Sequence, residues 1–232
     1  MSATLLQLRD QCIIDAGIEG QPKFPTTRLN RMINLAQRYV QTNLNGLGLK
    51  KWEAVDILTM VVAPAGFSGI PSLISDLSVD CPNMLESPNS IIFIETLAAG
   101  GIYGVAYEID IRNFQEQLEN TYLAPTTKKP IFMRLVNKIY LFPSTLASAI
   151  AYYYKAITDL ASDSATTEIP IEFEDFIIKK VILDIDDILG KLQDKELAQR
   201  QLEKDINATY EKFLGKQQEL NRIKSNDKVK LQ

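Results

Sequence analysis

The apolar residues of this chain change their period twice, and that order of periods constrains the fold more than any single motif. Up to about Asn45 they recur every three or four positions, as on one face of a helix. From Trp52 to Ala156 they alternate or gather in β-branched runs, and from Phe173 onward the helical spacing returns. The expected class is α+β: a helical bundle formed by the N- and C-terminal helices, with an embedded antiparallel β domain. The expected division gives residues 1–51 and 161–223 to the bundle, 52–160 to the β-rich domain and 224–232 to a polar tail.

The helices are read from their faces and stops. Leu5, Leu8, Cys12 and Ala16 share one face of a first helix, and Gly17 is its natural C-terminal stop. GIEGQPKFP is a loop, after which Thr26 or Thr27 can cap a second helix with an apolar face of Leu29, Met32, Ile33, Ala36, Tyr39, Val40 and Leu44. Its polar face carries Arg28, Arg31 and Arg38, which suits a solvated or inter-subunit face better than a DNA contact. After the polar connector ITDLASDSATTEIP, Glu172, Glu174 and Asp175 complement the N-terminal dipole of a third long helix. That helix has the stripe Phe173, Phe176, Ile177, Val181, Ile185, Ile188 and Leu189. Past a break at Gly190, a fourth continues with Leu197, Leu202, Ile206, Tyr210, Phe213 and Leu214.

In the middle, AVDILTMVV and SIIFIETL have the composition of strands, and the segment between them reads as loop with one short helix. EIDIRNFQEQLEN, residues 108–120, can form a short helix with Ile111, Phe114 and Leu118 inward. PIFMRLV, KIYLFP and SAIAYYYKA are then expected as an antiparallel meander, with Asn137 supplying positive φ in the first turn. Strand alternation sends Tyr152 and Tyr154 to one face and Tyr153 to the other, so the three rings cannot form one base-stacking row. Packing on one face and a subunit contact on the other is the expected use.

Composition narrows function by exclusion. The chain has no histidine, which removes Ser-His-Asp and Cys-His nucleophiles, histidine metal sites and imidazole acid–base chemistry. Its 25 Lys and Arg against 29 Asp and Glu leave a net charge of −4, so it lacks the overall positive field that binds phosphate backbones. Cys12 and Cys81 form no CxxC pair and read as packing residues. Gly100, Gly101 and Gly104 give GGxxG without the lysine or setting of a phosphate loop, hence a turn. Asp184, Asp186, Asp187, Glu203 and Asp205 lie on outer helical faces, where carboxylates are solvated or salt-bridged. With 46% hydrophobic and 23% charged residues, no apolar run of transmembrane length and no leader pattern, the expectation is a globular, non-enzymatic protein folded in cytosol, with no cofactor and no metal.

The early segment TTRLNRMINLAQRYVQ, followed by Trp52, resembles the adaptor or head-to-tail connector proteins of tailed bacteriophages, such as the short-tailed and crAss-like phages. So do the later segments in their order: KIYLFPS, YYYKAITDL, a Ser/Asp/Thr-rich linker, EIP, and a helix opening FEDFIIKKVILDI. The resemblance covers most of the chain. It implies a homo-oligomeric ring, commonly a dodecamer, beneath the portal protein in the virion neck, assembled in host cytoplasm. The ring would extend the DNA channel without binding DNA specifically and give a platform for a tail, nozzle or second ring protein.

By the same resemblance, Leu214, Leu220, Ile223 and Lys228 are portal-docking candidates. Arg28, Arg31, Arg38 and Tyr153 are inter-subunit candidates, and the loop from Phe67 to Pro88 is a reach toward the tail. Departing from the simplest all-helical connectors, the chain carries a large insertion from about Trp52 to Ala156. A tail-tube or neck-completion protein, a DNA-binding packaging factor and a carboxylate hydrolase are the competing readings.

Overall fold

The computed structural model describes residues 2–62, 73–85, 90–98, 100–110, 112–113, 116, 120 and 122–229, except the side chains of 220–229. In chain order its elements are α1 (Leu5–Ala16), α2 (Thr26–Gly46), β1 (Glu53–Leu58), β2 (Val61–Val62), β3 (Leu73–Asp76), α3 (Leu77–Asp80), β4 (Ile91–Ala98), β5 (Ile102–Glu108), β6 (Ile131–Leu135), β7 (Lys138–Phe142), β8 (Leu146–Tyr154), α4 (Glu174–Ile188) and α5 (Lys195–Val229). They fall into two compact units, residues 1–50 with 157–232, and residues 51–156.

The helical unit packs α1, α2, α4 and α5 on one another. Thr4 closes α1 in a reciprocal capping box with Gln7, and Gly17 ends it at φ 62°, a left-handed value that a Cβ would strain. Pro25, not Thr26 or Thr27, is the N-cap of α2. The Pro25 carbonyl accepts from the N–H groups of Arg28 and Leu29, so no threonine hydroxyl is called on. Leu29, Ile33, Val40 and Leu44 of α2, Phe173, Ile177, Val181 and Ile185 leading into and along α4, and Leu202, Ile206 and Tyr210 of α5 are buried. Ile188 and Leu197, expected in the stripe, are exposed because they flank the break at Gly190, where φ is 68°. The α5 backbone stays helical to Val229, through most of the segment expected as a polar tail.

Residues 157–169 cross this unit without regular structure, and amides of α2 hold them at three points. Asn34 Oδ1 accepts from Leu160 N at 2.9 Å, Gln41 Oε1 from Ile157 N at 3.1 Å, and Gln37 Oε1 from the Thr167 hydroxyl at 2.6 Å. Positions 34, 37 and 41 share one helical face, so one row of amides pins the connector. That is why 157–160, expected with the β domain, belong to the helices.

The sheet unit is one eight-stranded sheet in the order β1-β8-β4-β5-β6-β7-β3-β2. Consecutive strands β1 and β2 occupy its two ends, separated in sequence only by Thr59 and Met60. Three Cα steps span at most about 11 Å, whereas flat strands so placed would lie about 34 Å apart. The sheet is therefore curled into a half-barrel. Its concave side holds the main core, including Leu58, Ile94, Ala106, Phe132, Leu141, Ala151 and Tyr153, and Ile131, Met133 and Phe142 form a second buried cluster on the other face of β6 and β7.

Several expectations for this unit are corrected. The sheet is mixed, because β5 and β6 pair in parallel through Tyr107↔Ile131 and Glu108↔Phe132, which the long crossover 109–130 permits. The meander stops after β6–β7: the free side of β7 is taken by β3, and β8 inserts between β1 and β4. β3 and α3 lie within the segment read as loop and one short helix, and Glu108 ends β5 rather than opening a helix. Val136, not Asn137, takes positive φ in the β6–β7 turn. Ile111, Phe114 and Leu118, expected to face inward from a helix there, lie outside the described residues.

Candidate interaction surfaces

Strands β1, β8, β4 and β5 are neighbours, and their registers assign each side chain to a face. Ala54, Tyr153, Ala151, Ile94 and Ala106 point to the core, so the opposite parity points outward. On that convex side Val55 opposes Tyr152, Ile57 opposes Ile150, Phe93 opposes Tyr152, and Glu95 stands beside Val105. Ile57 is 72% exposed, Tyr103 69%, Tyr107 64% and Val55 54%. Four strands about 4.8 Å apart, each contributing about 20 Å of length, make a face of roughly 400 Å². An apolar surface of that extent is what contact sites look like.

The three tyrosines divide as alternation requires. Tyr152, on the outer face, stacks on Phe93 with centroids 4.0 Å apart and donates its hydroxyl to Glu95 Oε2 at 3.2 Å. That bond to a carboxylate raises its phenol pKa, with burial adding to the shift. Tyr153 is 2% exposed and donates to Asp56 Oδ2. Burial first, and that bond second, push its pKa up. A ring covered by its own sheet offers no surface to a second subunit, so the inter-subunit role expected of Tyr153 is replaced by core packing.

The arginines of α2 are not equivalent. Arg38 bonds Asp159 of the connector at 3.0 Å, so it helps hold its own chain. Arg28 donates to the Lys23 carbonyl at 2.9 Å and lies over the Phe24 ring, and Arg31 is exposed. With Leu35, 52% exposed, Arg28 and Arg31 form an outward stripe at helical spacing. α2 carries no carboxylate, and β1, β4, β5 and β8 carry no lysine or arginine.

Elsewhere the chemistry-bearing groups are engaged. Asp184 pairs with Lys180, Asp186 with Lys191 and Asp187 with Lys195; Glu203 accepts from the Tyr39 hydroxyl and Asp205 from Gln201. The carboxylates are thus salt-bridged or hydrogen-bonded, as their outer position implies. Burial pushes the Cys12 thiol up to about 12 and Cys81 up to about 11, which suits packing residues and not nucleophiles. A groove of about 570 Å³ between α1 and α4 is lined by Gln7, Gln11, Asp15, Glu174 and Lys179. Its buried carboxylate, Glu174, already accepts from Ala3 N at 2.9 Å. Among the described residues no three His, Cys, Asp or Glu side chains converge as a metal site, and no helix is long and apolar enough to cross a membrane.

Gly100 and Gly101 make the β4–β5 turn, at φ 89° and 77°. Gly104 lies inside β5, where a Cβ would come within 2.8 Å of the Thr127 carbonyl oxygen. Of the docking candidates, Leu214 is 37% exposed on α5, while the side chains of Leu220, Ile223 and Lys228 lie outside the described residues. So do residues 67–72 and 86–88 of the loop expected to reach the tail, whose remainder forms β3, α3 and the turn after it. The sequence reading missed Tyr103, Val105 and Tyr107, although IYGVAYE alternates large and small residues at strand period. The GGxxG pattern, read only as a turn, concealed the strand it opens. Comparison with family models finds no match, and comparison with curated proteins finds none either.

Proposed function

We propose that this chain is a structural virion protein, a head-to-tail adaptor that forms a ring beneath the portal, extends the DNA channel and gives the tail its docking platform. The observation that carries the reading is the outer face of β1, β8, β4 and β5. There Tyr103, Tyr107, Val55 and Ile57 are exposed together on a rigid sheet, a surface suited to being covered in an assembly. The ordered resemblance of the segments from TTRLNRMINLAQRYVQ to FEDFIIKKVILDI to phage adaptors supplies the kind of assembly. A net charge of −4 agrees with a channel wall that DNA slides past, since a basic wall would hold phosphates.

α5 supplies the portal-docking arm in this reading. Among the described side chains its buried residues end at Tyr210 and the half-buried Phe213, and residues 214–219 are all exposed. Removing Lys216–Gln232 takes away none of the buried side chains described above. In mass photometry the full chain forms a ring-sized species, or shifts onto a phage portal protein, and the truncated chain loses the portal. A full chain that stays single and ignores the portal overturns the proposal.

A further inference from the structure

We infer that the outer sheet face of one copy receives the α2 stripe of a second copy of this chain. The inference rests on the ring-forming reading above and names the contact that would build the ring. The first argument is charge. On the outward parity β1, β4, β5 and β8 carry Glu53 and Glu95, the latter accepting from the Tyr152 hydroxyl, and no cation, whereas α2 carries no anion and, beside the Arg38 paired with Asp159, Arg28 and Arg31. No other long helix of the chain has cations without carboxylates, since α1, α4 and α5 each mix both signs. Such complementarity fixes partner and orientation.

The second argument is shape. From Arg28 to Leu35 the α2 stripe runs about 10 Å at 1.5 Å per residue, about two strand spacings. With Leu35 over Tyr103 and Val105 of β5, Arg31 reaches β4, which carries Glu95, and Arg28 reaches β8. Both surfaces are exposed in the same chain and they differ, so the contact is heterologous: each copy gives its helix to one neighbour and its sheet to the other. Repetition with a fixed rotation closes a ring, of two copies where the rotation is a half-turn and of more where it is smaller, or grows a filament.

The test uses the full chain and two exposed substitutions, Leu35→Glu on the helix and Tyr103→Glu on the sheet. Far-ultraviolet circular dichroism confirms that each variant folds. Arg31→Glu and Tyr107→Glu serve as a second pair should either of the first unfold. In mass photometry at micromolar concentration the unaltered chain forms rings. Each variant alone associates about a hundredfold more weakly and stays single. Mixed in equal amounts, the two variants form a two-copy species, because one intact helix face and one intact sheet face remain.

Variants that still form rings overturn the contact and leave the ring reading standing. Rings from the unaltered chain with no pairing in the mixture overturn the partnership of these two surfaces. An unaltered chain that stays single overturns the inference, and its binding or indifference to the portal then decides the adaptor reading separately.

Discussion

The two units differ in which polar groups they bury and in where their exposed apolar groups gather. The helical unit buries polar side chains: Gln37, Gln41, Thr167 and Glu174 are nearly inaccessible, and each bonds the chain's own backbone or a neighbouring side chain. The sheet unit exposes apolar ones, with Val55, Ile57, Tyr103 and Tyr107 on one face. Exposed apolar residues of the helical unit, such as Ile14, Leu35 and Leu197, lie on three different helices. A buried amide row specifies how one chain folds onto itself, because an unpaired buried amide is costly. A wide apolar face specifies nothing within the chain and acquires its use from something outside. The contrast predicts that substitutions of equal size will be felt as stability in the first unit and as association in the second.

The largest effect is expected at Phe173. Its ring is fully buried, edge-on to Phe213 with centroids 5.7 Å apart and 6.3 Å from that of Phe176. Phe173→Ala removes the side chain where α4 begins and α5 packs, leaving a cavity that surrounding helices fill only in part. A loss of about 3–5 kcal/mol is expected, read as a lower urea midpoint with an unchanged slope. A loss below about 1 kcal/mol would show that the stripe read from sequence is not the core of this unit.

Phe173 was legible because helical spacing is written into the order of residues. The core rows of α1, α2 and α4, the stops at Gly17 and Gly190, and the strands PIFMRLV and KIYLF follow from period and punctuation alone. What was not legible is pairing at a distance. Nothing local in LASAIAYYY says that it inserts between β1 and β4, and nothing in AVDILTMVV says that its halves end at opposite edges of a curled sheet. The outer face was half legible. The alternation separating Tyr152 from Tyr153 was read, but the contact face was given to Tyr153, and the extent of the outer face depends on β5 and on which strands lie side by side. Val136 shows the limit of turn rules: the register of β6 and β7 leaves Val136 and Asn137 as the two turn residues, and the positive φ falls on the valine although asparagine is the better left-handed residue.

A smaller effect, informative through its sign, is expected at Glu174. Burial raises its carboxyl pKa above the ordinary value of 4.5, against the opposing hydrogen bond from Ala3 N. The folded state therefore binds this proton more tightly than the unfolded state. Its contribution to stability is fully present below pH 4.5 and is lost as pH rises through the folded value. Glu174→Gln keeps the Oε1 acceptor and removes the titration. Urea midpoints of the native chain should fall relative to the variant as pH rises through that window and then run parallel. A native midpoint that rises relative to the variant would mean that the bond from Ala3 outweighs burial, and that this buried polar group favours folding as an anion.

The smallest effect on stability, and the sharpest test of the contrast, belongs to Tyr103. The ring is 69% exposed on β5, and its cross-strand partner Leu97 is half-buried. Tyr103→Ser removes as many ring atoms as Phe173→Ala does but takes few of them out of contact, so the urea midpoint should move by less than about 0.5 kcal/mol in equivalent free energy. Association of the chain with itself should weaken at the same time, read as a fall in mean mass by mass photometry. A large loss of stability would mean that the outer face is sheltered by the chain's own residues, and the two units would then differ only in secondary structure. An unchanged midpoint with weakened association would show that the apolar side chains on the convex face contribute to contacts between molecules and leave the folding of the single chain almost untouched.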